Sequence, residues 1–393
     1  MSVNHDPRWD GRRWGEAVWG RAASRPETPL PLRADVVVVG AGITGVSLGY
    51  WLSRGGANVL VLERSRLAAG ASGRNAGFLL AGVAASYVEA VASYGRSLAA
   101  EVWAFTLENH DRLAELLGGR AGHRRGGSWT LAASPEEAEI LEHSAQLLAE
   151  DRLPGQWLPG TRLVGGTLGG MLNPADGEIH PVEAVEALAQ ESQVTIADGI
   201  DVVGVEPASS GVRVHTSRGE LAAGAVVLAT NGYSRQLLAE LPIDAVRAQM
   251  LATESTTPVA DRPVYTDGGY VYWRQLVDDR VILGGFRHRA MAEEVGYDEH
   301  PTATIQGHLD RHLQALGVAA PVTHRWAGVM GFTPDALPLV GAVPGSAGLY
   351  ICAGYSGHGM GFAFNCARVL ADSMLGGAPP PAWLDPARVV ARA

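Results

Sequence analysis

Apolar residues near the N-terminus fall into two unbroken runs separated by a helical stretch. Asp35-Val-Val-Val-Val39 shows no polar alternation, so it predicts a strand buried on both faces. Gly40 to Gly45 then supplies a turn, and Val46–Arg54 carries small and apolar residues at helical spacing. Asn58–Leu62 is a second apolar run. Strand, turn, helix and strand fit within about 30 residues, the span of a βαβ unit with a parallel sheet.

Beyond this unit the period changes repeatedly. Ser97–Leu117 and Ser134–Glu150 predict amphipathic helices, with a short strand at Gly127–Ala132 between them. Pro181–Gln190 predicts another helix. Val202–Val205, Gly211–Thr216 and Ala225–Ala229 predict strands. Tyr270–Gln275 and Arg280–Phe286 alternate about Asp278-Asp279 as a hairpin, and Thr302–Leu316 predicts a helix. Leu349–Ala353 is a last apolar strand, followed by a glycine-rich turn and a helix over Gly359–Leu375. Gly165-Gly166 and Gly169-Gly170 read as loop glycines, since no strong strand precedes them. Residues 1–33 read as an irregular arm rich in Pro, Arg and Trp.

Length and charge narrow the function. A chain of 393 residues exceeds one compact core, so two domains are expected. A net charge of −10 argues against nucleic acid or an anionic membrane as partner. No apolar run reaches membrane-spanning length, and Arg12 and Arg13 are not followed by a leader-like apolar region, so a cytoplasmic location is expected. Cys352 and Cys366 form no CxxC pair, so neither a metal site nor a redox disulfide is expected. All 31 basic residues are arginine, which excludes a lysine Schiff base or lysine general base.

The chemistry begins at Gly40-Ala-Gly42-Ile43-Thr44-Gly45, a GxGxxG between strand and helix. Gly40 permits the tight turn, Gly42 lets backbone approach a pyrophosphate, and Gly45 allows close helix–strand packing. The helix N-terminus then faces the phosphates. Glu63, beside Arg64 at the end of the second strand, is placed to accept the hydroxyls of an adenosine ribose, which argues against NADP. This unit alone fits FAD or NAD. Three later segments favour FAD: Ala71-Ser72-Gly-Arg74-Asn75-Ala76-Gly77, Ala229-Thr230-Asn231-Gly232, and Gly354-Tyr-Ser356-Gly357-His358-Gly359-Met360-Gly361. The last again runs from strand through turn to helix, and a second helix N-terminus suits the negative charge that develops on a reduced flavin.

At these residues the chain resembles the D-amino-acid oxidase, sarcosine oxidase and glycine oxidase superfamily of FAD-dependent amine oxidoreductases. The Gly70–Phe78 and Gly354–Gly359 segments and the Trp-rich arm are most similar to the γ-glutamylputrescine oxidase branch. Trp326–Gly341 looks like the family's late segment near the flavin. The resemblance implies an α/β chain with a Rossmann-like FAD/NAD(P)-binding fold and an antiparallel-sheet substrate part of α+β character. Residues 34–85, 171–235 and 326–393 would form a discontinuous FAD-binding domain, and 86–170 and 236–325 the substrate domain. Val202 and Met330 join the expected cofactor contacts. FAD would be held non-covalently, because Met330 stands where sarcosine oxidases carry a flavin-linked Cys. The implied reaction oxidises a C–N bond to an imine by hydride transfer to the flavin, with O2 or another electron acceptor completing the cycle.

Met330 also stands where D-amino-acid and glycine oxidases carry a carboxylate-gripping Arg, and Gly361 where sarcosine oxidases carry a Lys. The expected substrate is therefore a small-molecule amine other than a small α-amino acid. His358, Tyr272, Arg274 and Arg287 are the expected catalytic and substrate residues, with Tyr270, Trp273 and Phe286 beside them and His180 and His288 behind. Two alternatives remain: a non-catalytic FAD-binding subunit or partner of a hetero-oligomeric dehydrogenase, and a flavin monooxygenase. The latter needs a GDxxH-type late motif that is not present. Disulfide reductases need a second GxGxxG and a cysteine pair.

Overall fold

A computed structural model describes residues 13–25, 27–160 and 167–390 of the chain. Arg12 and the Gly165-Gly166 pair lie outside the described residues.

The apolar runs build a mainly parallel sheet. Its central order is Gly219–Leu228, Arg33–Val39, Val59–Glu63 and Thr195–Asp198, all parallel neighbours. Leu349–Ala353 pairs parallel to the far side of Gly219–Leu228, and the antiparallel pair Val202–Ala208 and Gly211–Thr216 extends one edge. Both faces are buried. Val36 and Val38 enter one core with the helices, whereas Val37 and Val39 enter a second core with Leu221 and Ile351. That is why the run carries no polar alternation. The helix begins at Ile43 rather than Val46, because Gly42 is already its N-cap and Gly45 lies inside its first turn.

The second sheet has nine strands among the described residues, most of them antiparallel. The hairpin Val271–Gln275 and Arg280–Gly285 sits at its middle. It ends at Gly285 rather than Phe286, whose φ of 64° breaks the strand. Two strands not expected from the sequence, Asp244–Ser255 and Val322–Phe332, pair with each other along their length. Gly169 and Gly170 are not loop glycines: they open the strand Gly169–Asn173, where side chains would meet the Trp157 ring and Leu131. The sheet crosses the expected domain limits, since it takes both Gly169–Asn173 and Val322–Phe332. The helix Arg96–Leu117, expected with the substrate part, packs on Gly359–Met374. An unexpected helix, Tyr87–Tyr94, precedes it, started by a Ser86/Glu89 capping box.

Asp176 ties the two sheets' surroundings together. Its carboxylate accepts from Ser128 Oγ at 2.6 Å and from the Ala81 N–H at 2.9 Å. Burial pushes its carboxyl up to about 7 against those bonds. An acid raised in the folded state stabilises the protein fully below its unfolded value near 3.8 and loses that contribution as pH rises through about 7. Asp176→Asn is therefore expected to cost most at pH 4, and its difference from the wild type should shrink towards pH 8. Thermal unfolding of both proteins across that range checks this; a constant difference would refute it.

Candidate functional site

The strand ends and glycine turns converge on one cavity of about 840 Å³, at the large end of the range for small-molecule sites. Gly40, Gly42, Ile43 and Thr44 form part of its wall. Gly40 has φ 102°, a conformation that side chains disfavour, and its N–H donates to Leu62 O at 2.7 Å. A Cβ on Gly42 would come within 2.7 Å of Ser72 Oγ, so the bare backbone keeps the trough open at the helix N-terminus. The Ile43 N–H donates to that same Ser72 Oγ at 2.9 Å.

Glu63 lines the cavity at the end of its strand. One carboxylate oxygen accepts from the Ala41 N–H at 2.9 Å and the other from the Ser65 N–H at 2.8 Å. Burial raises its carboxyl despite these bonds. Each oxygen keeps a further lone pair, which suits a ribose diol. Arg64 lies over the Tyr233 ring at 4.1 Å, and Val202 and Thr230 complete this side.

Ala71, Ser72, Arg74, Asn75 and Ala76 form the rim, but their polar groups are mostly engaged within the protein. Asn75 Nδ2 donates to Ala71 O and Ser72 O, and its Oδ1 accepts from the Gly77 N–H at 2.7 Å. Arg74 donates to Ala69 O and Ala327 O and pairs with Glu299 at 3.3 Å. Arg74 and Asn75 thus line the cavity while most of their polar groups brace the loop itself.

The turn after Leu349–Ala353 closes the other side. Ser356, Gly357, His358, Gly359 and Met360 line the cavity, with His358 at the N-cap of the helix Gly359–Met374. Asn231 lines it too, and its Oδ1 accepts from the Gly354 N–H at 3.0 Å. Met330 lies opposite, its sulfur near Gly357. Gly45, Gly77, Gly232 and Gly354 do not reach the cavity surface. They stand behind it, where close packing leaves no room for a side chain; a Cβ on Gly232 would meet Met330 O at 2.6 Å.

The substrate candidates divide. Tyr270, Tyr272, Arg287 and His358 line the cavity. Arg274 does not, although it shares a strand face with Tyr272. Its side chain is 5% exposed, pairs with Glu178 at 3.1 Å and donates to Ile179 O at 2.9 Å. The cavity wall closes before Arg274 because the short strand Gly177–Glu178 occupies that space. Trp273 points into the core, and Phe286 packs on His308 and His312. His180 caps a helix by accepting from the Glu183 N–H, and His288 lies outside the lining, 3.1 Å from Asp267.

Sequence reasoning missed Tyr265, Phe78, Phe332 and Tyr355. Tyr265, Tyr272 and Phe78 pack as mutual edge-on rings with centroids 5.5–6.1 Å apart, and Tyr265 stacks on His358 at 6.3 Å. Tyr355 hydrogen-bonds Thr44 Oγ1 at 2.9 Å, joining the two helix N-termini. Burial lowers His358 to about 4, so its imidazole is neutral at physiological pH. Burial also pushes the Tyr272 phenol up to about 12, so it stays protonated.

The residues fit FAD: a glycine cradle that a Cβ would fill, a buried carboxylate at one side and a second helix N-terminus at the other. Among the described residues no cluster of His, Cys, Asp or Glu could hold a metal, and no helix is long and apolar enough to cross a membrane.

Comparison with known proteins agrees. Residues 35–373 match the family of FAD dependent oxidoreductases. The chain is 26% identical to 4-methylaminobutanoate oxidase (formaldehyde-forming) of Paenarthrobacter nicotinovorans, over 89% of this chain but only 45% of that protein's length. It is 27% identical to glycine oxidase of Geobacillus kaustophilus, over 84% of this chain and 89% of the relative. The crystal structure of the glycine oxidase from Geobacillus kaustophilus superposes with a TM-score of 0.74 at 23% identity, covering 90% of this chain and 98% of that one, and so shares the fold. By a match that spans most of its length, this chain belongs to the FAD dependent oxidoreductase family and takes FAD as its cofactor.

Proposed function

We propose that the protein oxidises the C–N bond of an amine to an imine, and that the amine is not a small α-amino acid. The observation that carries the second clause is the wall at Met330 and Gly361. Met330 offers a thioether where the resemblance places a cationic anchor. At Gly361 a Cβ would lie 2.6 Å from Leu80 O, so no longer side chain fits there without moving backbone. A buried carboxylate that meets no cation at these two positions costs several kcal/mol, roughly the whole binding energy of a small amino acid.

FAD supplies the two-electron acceptor when bound. The chain's own residues position and shield. Phe78, Tyr265 and Tyr272 form an aromatic wall that excludes water. The Tyr272 O–H remains a donor, and neutral His358, stacked on Tyr265, adds no charge to this wall. Gly40, Gly42, Ile43, Thr44, Glu63 and the Ala71–Ala76 rim would hold the adenosine and phosphate portion. Asn231, Met330 and Ser356–Met360 would face the flavin. The division into a discontinuous FAD part and a hairpin-bearing substrate part belongs to the same proposal. The name of the 4-methylaminobutanoate oxidase supports an N-methyl amine as one substrate type.

The test is anaerobic flavin reduction by primary, secondary and N-methyl amines set against glycine, sarcosine and D-alanine. The amines are expected to bleach the flavin and the small amino acids to do so poorly. Efficient reduction by glycine or sarcosine would overturn the substrate clause, and no bleaching by any amine would overturn the reaction. Because Met330 offers no thiol for attachment, acid precipitation is expected to release the yellow colour into the supernatant. Colour retained in the pellet would show a covalent link elsewhere.

A further inference from the structure

We infer that Arg287 is the specificity-determining residue of this site, and that it selects amines carrying a carboxylate remote from the C–N bond that is oxidised. The inference rests on the proposed amine oxidation and names its substrate class. Among the described residues, three arginines line the cavity: Arg64, Arg74 and Arg287. Arg74 donates to two carbonyls and pairs with Glu299. Arg64 lies over Tyr233, beside Glu63. Arg287 is different. Its guanidinium carbon lies 4.8 Å from the Tyr270 ring centroid and 4.7 Å from that of Phe332, and among the described residues it has neither a carboxylate partner nor a hydrogen-bond acceptor.

A half-buried guanidinium fixed by two rings, with its donors unused, is a preorganised oxyanion receptor. The rings hold the group without neutralising it, so little side-chain freedom remains to be lost on binding. One guanidinium balances one negative charge, which favours a carboxylate over a phosphate dianion. The position matters as much as the charge. Arg287 follows the hairpin that carries Tyr272, so it lies on a different element from Met330 and from Gly361. Its guanidinium rests on Phe332, two residues or about 6–7 Å along the same strand from Met330, so an anion held at Arg287 lies a strand step from the Met330 position and the amine carries its carboxylate on a spacer. A small α-amino acid has no such spacer.

The test uses the flavin-loaded enzyme and two measurements. Calorimetric titration with pentanoate, which has no oxidisable amine, reads the anion site alone. Wild type is expected to bind it, Arg287→Met to bind about ten- to a hundredfold more weakly, and Arg287→Lys to recover part of the loss. The flavin spectrum of each variant verifies that it is folded and loaded. Equal binding of pentanoate by wild type and Arg287→Met would overturn the inference. The second measurement compares KM for 4-(methylamino)butanoate and for N-methylbutylamine, in which a methyl group replaces the carboxylate. The wild type is expected to favour the former and Arg287→Met to lose that preference; equal KM values in the wild type would overturn the inference. If pentanoate binds through Arg287 but no amine of the panel bleaches the flavin, the anion site stands and the proposed amine oxidation falls.

Discussion

Gly45→Ala is expected to yield protein without flavin and with a markedly lower Tm. A Cβ at this position would overlap the Gly40 carbonyl oxygen and crowd Val38 Cγ1 at 3.3 Å. The carbonyl cannot withdraw. Gly40 is pinned by its N–H bond to Leu62 O, and its own Cα side already faces Ala229 O. The helix Ile43–Arg54 must therefore move, yet it is packed against Gly359–Met374 and Pro181–Ser192. Overpacking against side chains costs about 1–3 kcal/mol; against a fixed backbone oxygen about 3 kcal/mol or more is expected. Losing FAD removes a further stabilisation by mass action. Gly42→Ala makes a sharp contrast. Its Cβ meets only the Ser72 side chain, whose Oγ can rotate away at the loss of its bond from the Ile43 N–H, so the fold should survive while flavin affinity falls. Flavin absorbance per protein and thermal unfolding of both variants decide the matter. A Gly45→Ala protein with full flavin and an unchanged Tm would refute the argument.

The same contacts explain what could be read from the chain. The βαβ unit was legible because its strands are buried on both faces, and only such strands can drop polar alternation over Val36–Val39. The hairpin was legible because its alternation is real: Tyr272 faces the cavity and Trp273 the core. The strands Asp244–Ser255 and Val322–Phe332 were not, because Ala, Gln and Gly give them little intrinsic preference. Each is held by the other, and by Arg247, which reaches Glu294 at 2.9 Å from a loop far along the chain. Tyr265 was missed because it sits on a strand of three residues. The helix Tyr87–Tyr94 is two turns long, and its Ser86/Glu89 box was its only strong signal.

Alternation also placed Arg274 on the cavity face, and the error there has a physical cause that can be tested. Period two fixes the side of a sheet, not how far a cavity extends along it. At Arg274 that space holds Glu178, 7% exposed, which pairs with Arg274 at 3.1 Å and with Arg124 at 2.6 Å. Burial lowers the affinity of Arg274 for its proton and Glu178 opposes that loss in part, so the carboxylate is what makes the buried cation tolerable. Glu178→Gln leaves Arg274 charged among Ile179 O and the Trp19 ring, and is expected to cost about 3–5 kcal/mol. Arg274→Met should cost less, because Glu178 keeps Arg124 and the methionine fills the space of the stem. The double variant should then resemble Arg274→Met rather than the sum of the two, as expected for one coupled unit. Chemical denaturation of the three proteins measures this, alongside the rate of flavin reduction by an amine per bound flavin. A structural clamp predicts lost stability with that rate retained. If Arg274→Met kept its stability and lost flavin reduction, Arg274 would belong to the substrate site after all, and the wall at Glu178 would have to open.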